Sequence, residues 1–147
     1  MKNASKLMTN WFVWALLSAV FAGATAILAK VGIRGVDSNL ATAIRTTVVL
    51  VFTWGIAFAT SKPPAVLELS RHTWLFLTLS GLATGLSWLC YFRALQLGEA
   101  SRVAPVDKLS VVFVIAFAAL FLHETLTWQQ WVGGALIVTG AVVLAWK

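Results

Sequence analysis

The sequence predicts an all-α integral membrane protein with five transmembrane helices. Two observations predict it. The first is composition: the 147 residues are 60% hydrophobic and 11% charged, with a mean hydropathy of +0.88. Soluble domains carry roughly 25% charged residues, so this chain lacks the surface charge that keeps a domain in water. The second is distribution: the apolar residues gather into five runs, each near the ~20 residues that cross hydrocarbon at 1.5 Å rise per residue. Lipid offers the backbone no hydrogen bonds, so runs of this length must be helical; barrel strands would be about 10 residues long and would alternate.

The first span covers about 11–31. It follows MKNASKLMTN, with two Lys and no acid, and runs uncharged for nineteen residues from Trp11 to Ala29. A signal peptide needs an apolar core of only about 7–15 residues, so a retained span is expected. The second, about 40–60, must begin before Arg45, because only fourteen uncharged apolar-rich residues (TTVVLVFTWGIAFA) follow it. The stretch TSKPPAVLELSRH, with Pro63 and Pro64, reads as an interfacial loop. The third span, about 73–95, runs nineteen residues from Trp74 before it meets Arg93. The fourth, about 104–122, opens at Pro105, followed by Asp107, Lys108 and fourteen apolar-rich residues. A helix starting at Ala104 or Pro105 keeps the ring harmlessly in its first turn, whereas one starting at Ser101 would lose a backbone bond there. The fifth, about 128–146, is bracketed by Trp128, Trp131 and Trp146, which read as interfacial anchors. The connections are short, so consecutive spans are expected to run antiparallel within one membrane domain, 1–147.

Composition also excludes several functions. A net charge of +6 raises nucleic-acid binding, but the cations are scattered between apolar runs and form no basic stripe; juxtamembrane charge explains them better. Cys90 is a single cysteine, so no disulfide framework or CxxC site is expected. His123-Glu124 lacks the second His of HExxH, and His72 has no ligand partner nearby in sequence. There is no Gly-rich phosphate loop, so ATP-driven pumping is not expected. The sequence therefore predicts no metal, no cofactor and no enzyme.

The charges carry more information. Five spans place the two ends of the chain on opposite sides of the membrane. On the N-terminal side lie Lys2, Lys6, Lys62 and Arg71; on the other lie Lys30, Arg34, Arg102 and Lys147. The count is tied, as in a protein that inserts both ways. Arg45, Arg93 and Lys108, inside predicted spans, tilt it towards the second side. With Lys30 and Asp107 they form a belt near one membrane face, drawn from four helices. Snorkelling at helix ends explains Lys30 best. Arg45 and Lys108 fit less well, being cations in the first turns of helices, against the dipole. Asp107 is the acid at comparable depth, so it is expected to pair with Arg45 or Lys108. Adjacent residues point about 100° apart on a helix, so Asp107 and Lys108 are not expected to face one spot. Arg45, Arg93, Asp107 and Lys108 are the candidate vestibule, and their positive excess suggests an anionic or zwitterionic substrate. The belt is shallower than a midplane site, so a gate is the competing role. Trp14, Trp88 and Tyr91 are candidate cavity aromatics, although helix or lipid packing is commoner for such residues.

Small residues form stripes in the spans: Ala15, Ala19 and Gly23 in the first, Gly81 and Gly85 in the third, Gly133 and Gly140 in the fifth. Such stripes let helix backbones approach closely in lipid. Packing within one copy is the better expectation for any one of them. The fifth span has the most free face for a second copy, which makes Gly133 and Gly140 the dimer-packing candidates.

The stretch YFRALQLGEASRVAPVDKLSVVFVIAFAALFLHETLTWQQWVGGALIVTGAVVLA resembles the EamA family of the drug/metabolite transporter superfamily. The tokens are YFRAL, the VAP and LS of 103–110, FLHETLT against the usual FLGExLT turn, and the start QWVGGALI. AVFAGATAILAKVGIRGVDSNLATAIR looks like the opening of the same unit. Most members have two such units and ten spans, related as inverted repeats. This chain resembles the half-length members, so the resemblance implies that two copies pair, with an antiparallel homodimer among the arrangements open to them. It implies a multi-pass protein of the inner (plasma) membrane that carries a small-molecule substrate by alternating access. A non-transporting subunit, or a half that needs a different EamA-like partner, is the alternative. Two departures stand out: LSV at 109–111 replaces the common LSP, which puts the expected kink in doubt, and His123 stands where Gly is usual. The first span has no acid, so the embedded-Glu mechanism of the related small multidrug resistance proteins does not carry over.

Overall fold

The computed structural model describes residues 11–60 and 69–146. Lys2, Lys6, Lys62, Lys147 and the Pro63-Pro64 turn, which enter the charge count and the expected loop, lie outside these. The described residues form α1 (Trp11–Gly32), α2 (Ser38–Thr60), α3 (Arg71–Leu97), α4 (Ala100–Asp107), α5 (Ser110–Phe121) and α6 (Trp128–Ala145). α4 and α5 together make the fourth of five segments long and apolar enough to cross a membrane. The protein is thus an all-helical, multi-pass membrane protein.

Several helix starts have a visible cause. Asp37 Oδ1 accepts the backbone N–H groups of Asn39 at 2.9 Å and Leu40 at 3.1 Å, so it caps α2. Span two therefore begins at Ser38, slightly earlier than the apolar run suggests. Ser70 Oγ accepts the Thr73 N–H at 3.1 Å ahead of α3. Thr127 and Gln130 form a reciprocal capping box at the start of α6. Inside the spans, the hydroxyls of Thr42, Thr46, Thr53, Thr84 and Thr139 each donate to the carbonyl four residues back. Each hydroxyl thus finds an acceptor on its own helix, which is what burial in lipid demands.

The fourth span differs from expectation. Its helix begins at Ala100, so Pro105 lies inside α4 and not in its first turn. Proline has no N–H to return to the Ser101 carbonyl, and one α-helical bond is missing there. The α-helix then stops at Asp107. Lys108 N–H is shared between the Ala104 and Pro105 carbonyls, while Leu109, Val111 and Val112 bond three residues back, at 2.9–3.1 Å. This is a tight 3₁₀ passage between two half-helices. It exists with Val111, not proline, after Leu109-Ser110.

The turn after α5 explains the other departure. Leu122 and Glu124 N–H groups both return to the Ala118 carbonyl, at 3.1 and 3.2 Å. Between them His123 has φ 54°, in the left-handed region. Non-glycine residues pay about 1–2 kcal/mol to sit there. His123→Gly is therefore expected to stabilise the protein by about 0.5–1 kcal/mol, after the greater flexibility of unfolded glycine is subtracted. Denaturant titration in micelles reads this; a destabilised variant would show that the imidazole itself holds the turn.

The helices form two compact units, one holding α2 and α3 and the other α1, α4, α5 and α6. In the first, Val36 meets Gln96 and Arg45 meets Trp88 and Phe92. Residues early in α2 pair with residues late in α3, so the two helices run antiparallel. In the second, α4 packs on α6 and α1, and α6 also packs on α5. Among the described residues, buried side chains are few: Ala26, Ile33, Phe92, Leu95 and Ala141 are the apolar ones. Large apolar residues such as Leu75, Leu82 and Leu86 are exposed, as a lipid-facing surface requires.

Candidate functional site

Helix α2 carries Arg45 seven residues in from its start at Ser38, about 10 Å along the axis. That is two turns from the start of the helix. Its guanidinium carbon lies 4.2 Å from the Trp88 ring centroid and 5.6 Å from that of Phe92. Trp88 and Phe92 are four apart on α3 and so share a face. Phe92 is buried, and Tyr91 precedes it on α3. A cation at the centre of a span costs about 2.5–3.5 kcal/mol on insertion scales. A desolvated cation–π contact returns up to about 2 kcal/mol. The rings thus offset much of the cost of placing Arg45 in the span, but they accept none of its N–H donors.

Arg93 takes a different place. Its Nη1 donates to Gln96 Oε1 at 2.8 Å, and Gln96 Nε2 donates to the Val36 carbonyl at 2.7 Å. This relay ties the end of α3 to the segment leading into α2. Gln96 belongs to α3, which runs to Leu97, and not to the turn that the polar sequence around it suggests.

In the other unit, Asp107 and Lys108 meet at the break in the fourth span. Lys108 Nζ lies 3.1 Å from Asp107 Oδ2. Of the two pairings expected for Asp107, this one is present, while Arg45, in the other unit, contacts aromatic rings. The 100° separation of neighbours on a helix does not keep the pair apart, because the α-helix ends between them and the lysine stem is long and flexible. The break also changes the dipole argument. Lys108 is the C-cap of α4, where a cation is favoured, and Asp107 sits just before α5, where an anion is favoured. Each charge is also adverse to the other half-helix. The two dipole effects largely cancel, and the half-exposed ion pair itself adds little stability.

The remaining candidates are more dispersed. Lys30 Nζ donates to the Gly98 carbonyl at 2.6 Å, so this cation has a specific acceptor besides any snorkelling. Glu99 and Arg102 form an exposed pair at 3.1 Å. Trp14 lies exposed on α1, in a different unit from the Arg45 cluster. A Cβ added at Gly133 or Gly140 meets nothing within 4 Å among the described residues, whereas at Gly134 it touches Ile115 Cδ1 at 3.7 Å. The close approach within one copy therefore falls at Gly134. Among the described residues, no three His, Cys, Asp or Glu side chains gather as a metal ion requires.

Sequence reasoning did not single out Phe92, Gln96 or Asp37. A signal was present for the first, since an aromatic pair at 88 and 92 has helical spacing. For Asp37 it was a carboxylate just ahead of SNLATAIR, a helix-start signature.

Comparison with known proteins places these features in a family context. The model of the EamA-like transporter family matches residues 9–146. An uncharacterized transporter in the cobO 3' region of Sinorhizobium sp is 54% identical over 136 residues, covering 92% of this chain and 96% of that protein. A probable terminal-alkyne amino-acid exporter from Streptantibioticus cattleyicolor is 34% identical over 139 residues, 90% of this chain but 44% of the exporter. A probable 4-amino-4-deoxy-L-arabinose-phosphoundecaprenol flippase subunit, ArnE, from Aeromonas hydrophila is 31% identical over 75 residues, 50% of this chain and 63% of that subunit. The chain thus matches nearly the full length of one relative and less than half of another. No solved structure matches it.

Proposed function

The chain belongs to the EamA-like transporter family, and on that premise we propose that it is a secondary carrier that exports small metabolites across the inner (plasma) membrane by alternating access. The observation that carries this reading is the fourth span, interrupted at Lys108–Leu109 by a tight 3₁₀ passage beside the Asp107–Lys108 pair. Secondary transporters put binding and coupling groups where discontinuous helices bring backbone polarity into the membrane. A broken span also supplies the hinge that alternating access needs.

In this reading the working unit is a dimer of five-span units, each a single EamA-type domain. Two copies would supply the ten spans of the double-length members, and the tied charge count is compatible with an antiparallel pair. Arg45 and Arg93 in one unit, and Asp107 and Lys108 in the other, are the candidate path residues, and their positive excess favours an anionic or zwitterionic substrate. Gly133 and Gly140 offer a free small-residue face to the second copy. The second reading, a half that needs a different EamA-like partner, draws on the likeness to a flippase subunit.

Proteoliposomes containing the purified chain alone separate the two. Substrate-dependent flux is expected from a metabolite panel weighted towards carboxylates and amino acids. Silence across the panel, with flux restored by a co-expressed partner, would overturn the homodimer. Reporters fused after Lys147, one active only in the cytoplasm and one only outside it, are both expected to give signal. Signal from one alone would dismiss the antiparallel arrangement.

A further inference from the structure

Arg45 is a permanent cation inside a span, yet its contacts are faces and not acceptors. The guanidinium stacks on Trp88 and lies within reach of Phe92. Among the described residues, neither ion pair includes it, and no hydrogen bond joins its N–H groups to an oxygen. The unit that contains it has two acids, Asp37 and Glu68. Asp37 is committed to capping α2 and lies eight residues away, about 12 Å along the helix. Glu68 lies outside the described residues, on the far side of the second span in sequence.

A stacked guanidinium leaves its edge open. That edge is a planar fork of N–H donors whose spacing matches a carboxylate or phosphate, and arginine does not lose its charge. We infer that Arg45 is an oxyanion-binding residue, and that Trp88 and Phe92 are positioning residues that hold its plane so that the fork faces a ligand. The ligand class is a small organic molecule bearing a carboxylate, or the phosphate of a lipid headgroup; the shared chemistry is the oxyanion. For the solute source the inference rests on the carrier reading and deepens it, because it names the group by which a substrate would be held.

The test uses the purified full chain in maltoside micelles, which carry no phosphate. Tritiated benzoate is the probe and benzamide, its neutral counterpart of nearly the same shape, is the competitor. Saturable benzoate binding that benzamide fails to displace is the expected result. Arg45→Gln should weaken it by about tenfold or more, and Arg45→Lys, which keeps charge without the fork or the stacking, by several-fold. Trp88→Leu should weaken it while leaving the preference for benzoate over benzamide intact, as a positioning role requires. In a second set of micelles, added phosphatidylglycerol that displaces benzoate from the wild type identifies a site shared with lipid headgroups. Undisturbed benzoate binding identifies the solute as the source. Absence of benzoate binding in the phosphate-free micelles, equal competition by benzamide, or an Arg45→Gln variant that binds both oxyanions like the wild type overturns the inference. The wild-type comparison needs no variant, so poor folding of Arg45→Gln does not decide the matter. Flux without benzoate binding would sink this site and leave the carrier standing; binding without flux would do the reverse.

Discussion

Asp107→Asn is expected to lower flux through the reconstituted protein by at least about tenfold. The substitution keeps the size of the side chain and removes its charge at the break between α4 and α5. Lys108, 3.1 Å away in the native chain, is then a cation without its counter-charge at membrane depth. Two roles predict this loss, and a double variant separates them. If the carboxylate only neutralises Lys108, Asp107→Asn combined with Lys108→Gln restores flux, because neither charge remains to be compensated. If the carboxylate handles substrate or a coupled ion, the double variant stays as poor as Asp107→Asn. The second outcome is expected, since the pair is half-open to its surroundings, and exposed pairs contribute little to stability alone. Full recovery in the double variant would remove Asp107 from the transport path.

Leu95→Ala is expected to carry the largest stability cost, about 2 kcal/mol. Leu95 is 0% exposed. Alanine there leaves a cavity and forfeits the contacts of the missing atoms. In a membrane the transfer contribution is small, because lipid tails are as apolar as leucine. The cost therefore sits at the low end of the range for Leu→Ala in aqueous cores. Leu97, two residues on in the same helix, is 75% exposed. Leu97→Ala should cost less than about 0.5 kcal/mol. Detergent-unfolding titrations of the two variants give the comparison, and equal losses would mean that Leu95 has no tight surroundings.

The candidate site was only partly legible before the fold. Arg45, Arg93, Asp107 and Lys108 are visible in the sequence because a charge inside a long apolar run stands out against its neighbours. Their partners are not. Arg45 meets Trp88 and Phe92 from another helix, and nothing local to residue 45 indicates which aromatic rings the hairpin of α2 and α3 will bring to it. Arg93 looks like a vestibule residue in the sequence, yet its guanidinium is engaged by Gln96. Trp14 looks equally eligible and lies with a different set of helices. The signal of Pro105 was ambiguous because its consequence depends on where the helix starts, and that start is set by packing and end effects that the apolar pattern does not contain.

What the sequence determined by itself is the class and the count. Length of apolar run against bilayer thickness is a local, one-dimensional comparison, and lipid leaves the backbone no choice but the helix. At 123 the resemblance noted only that Gly is usual there; the left-handed conformation of His123 came from the structure. Only the tertiary structure decided which charges pair, where the fourth span breaks, and that Arg45 rests on aromatic rings. Those outcomes depend on contacts between helices distant in sequence and on how two half-helices share their ends. Neither is a property of any single stretch of chain.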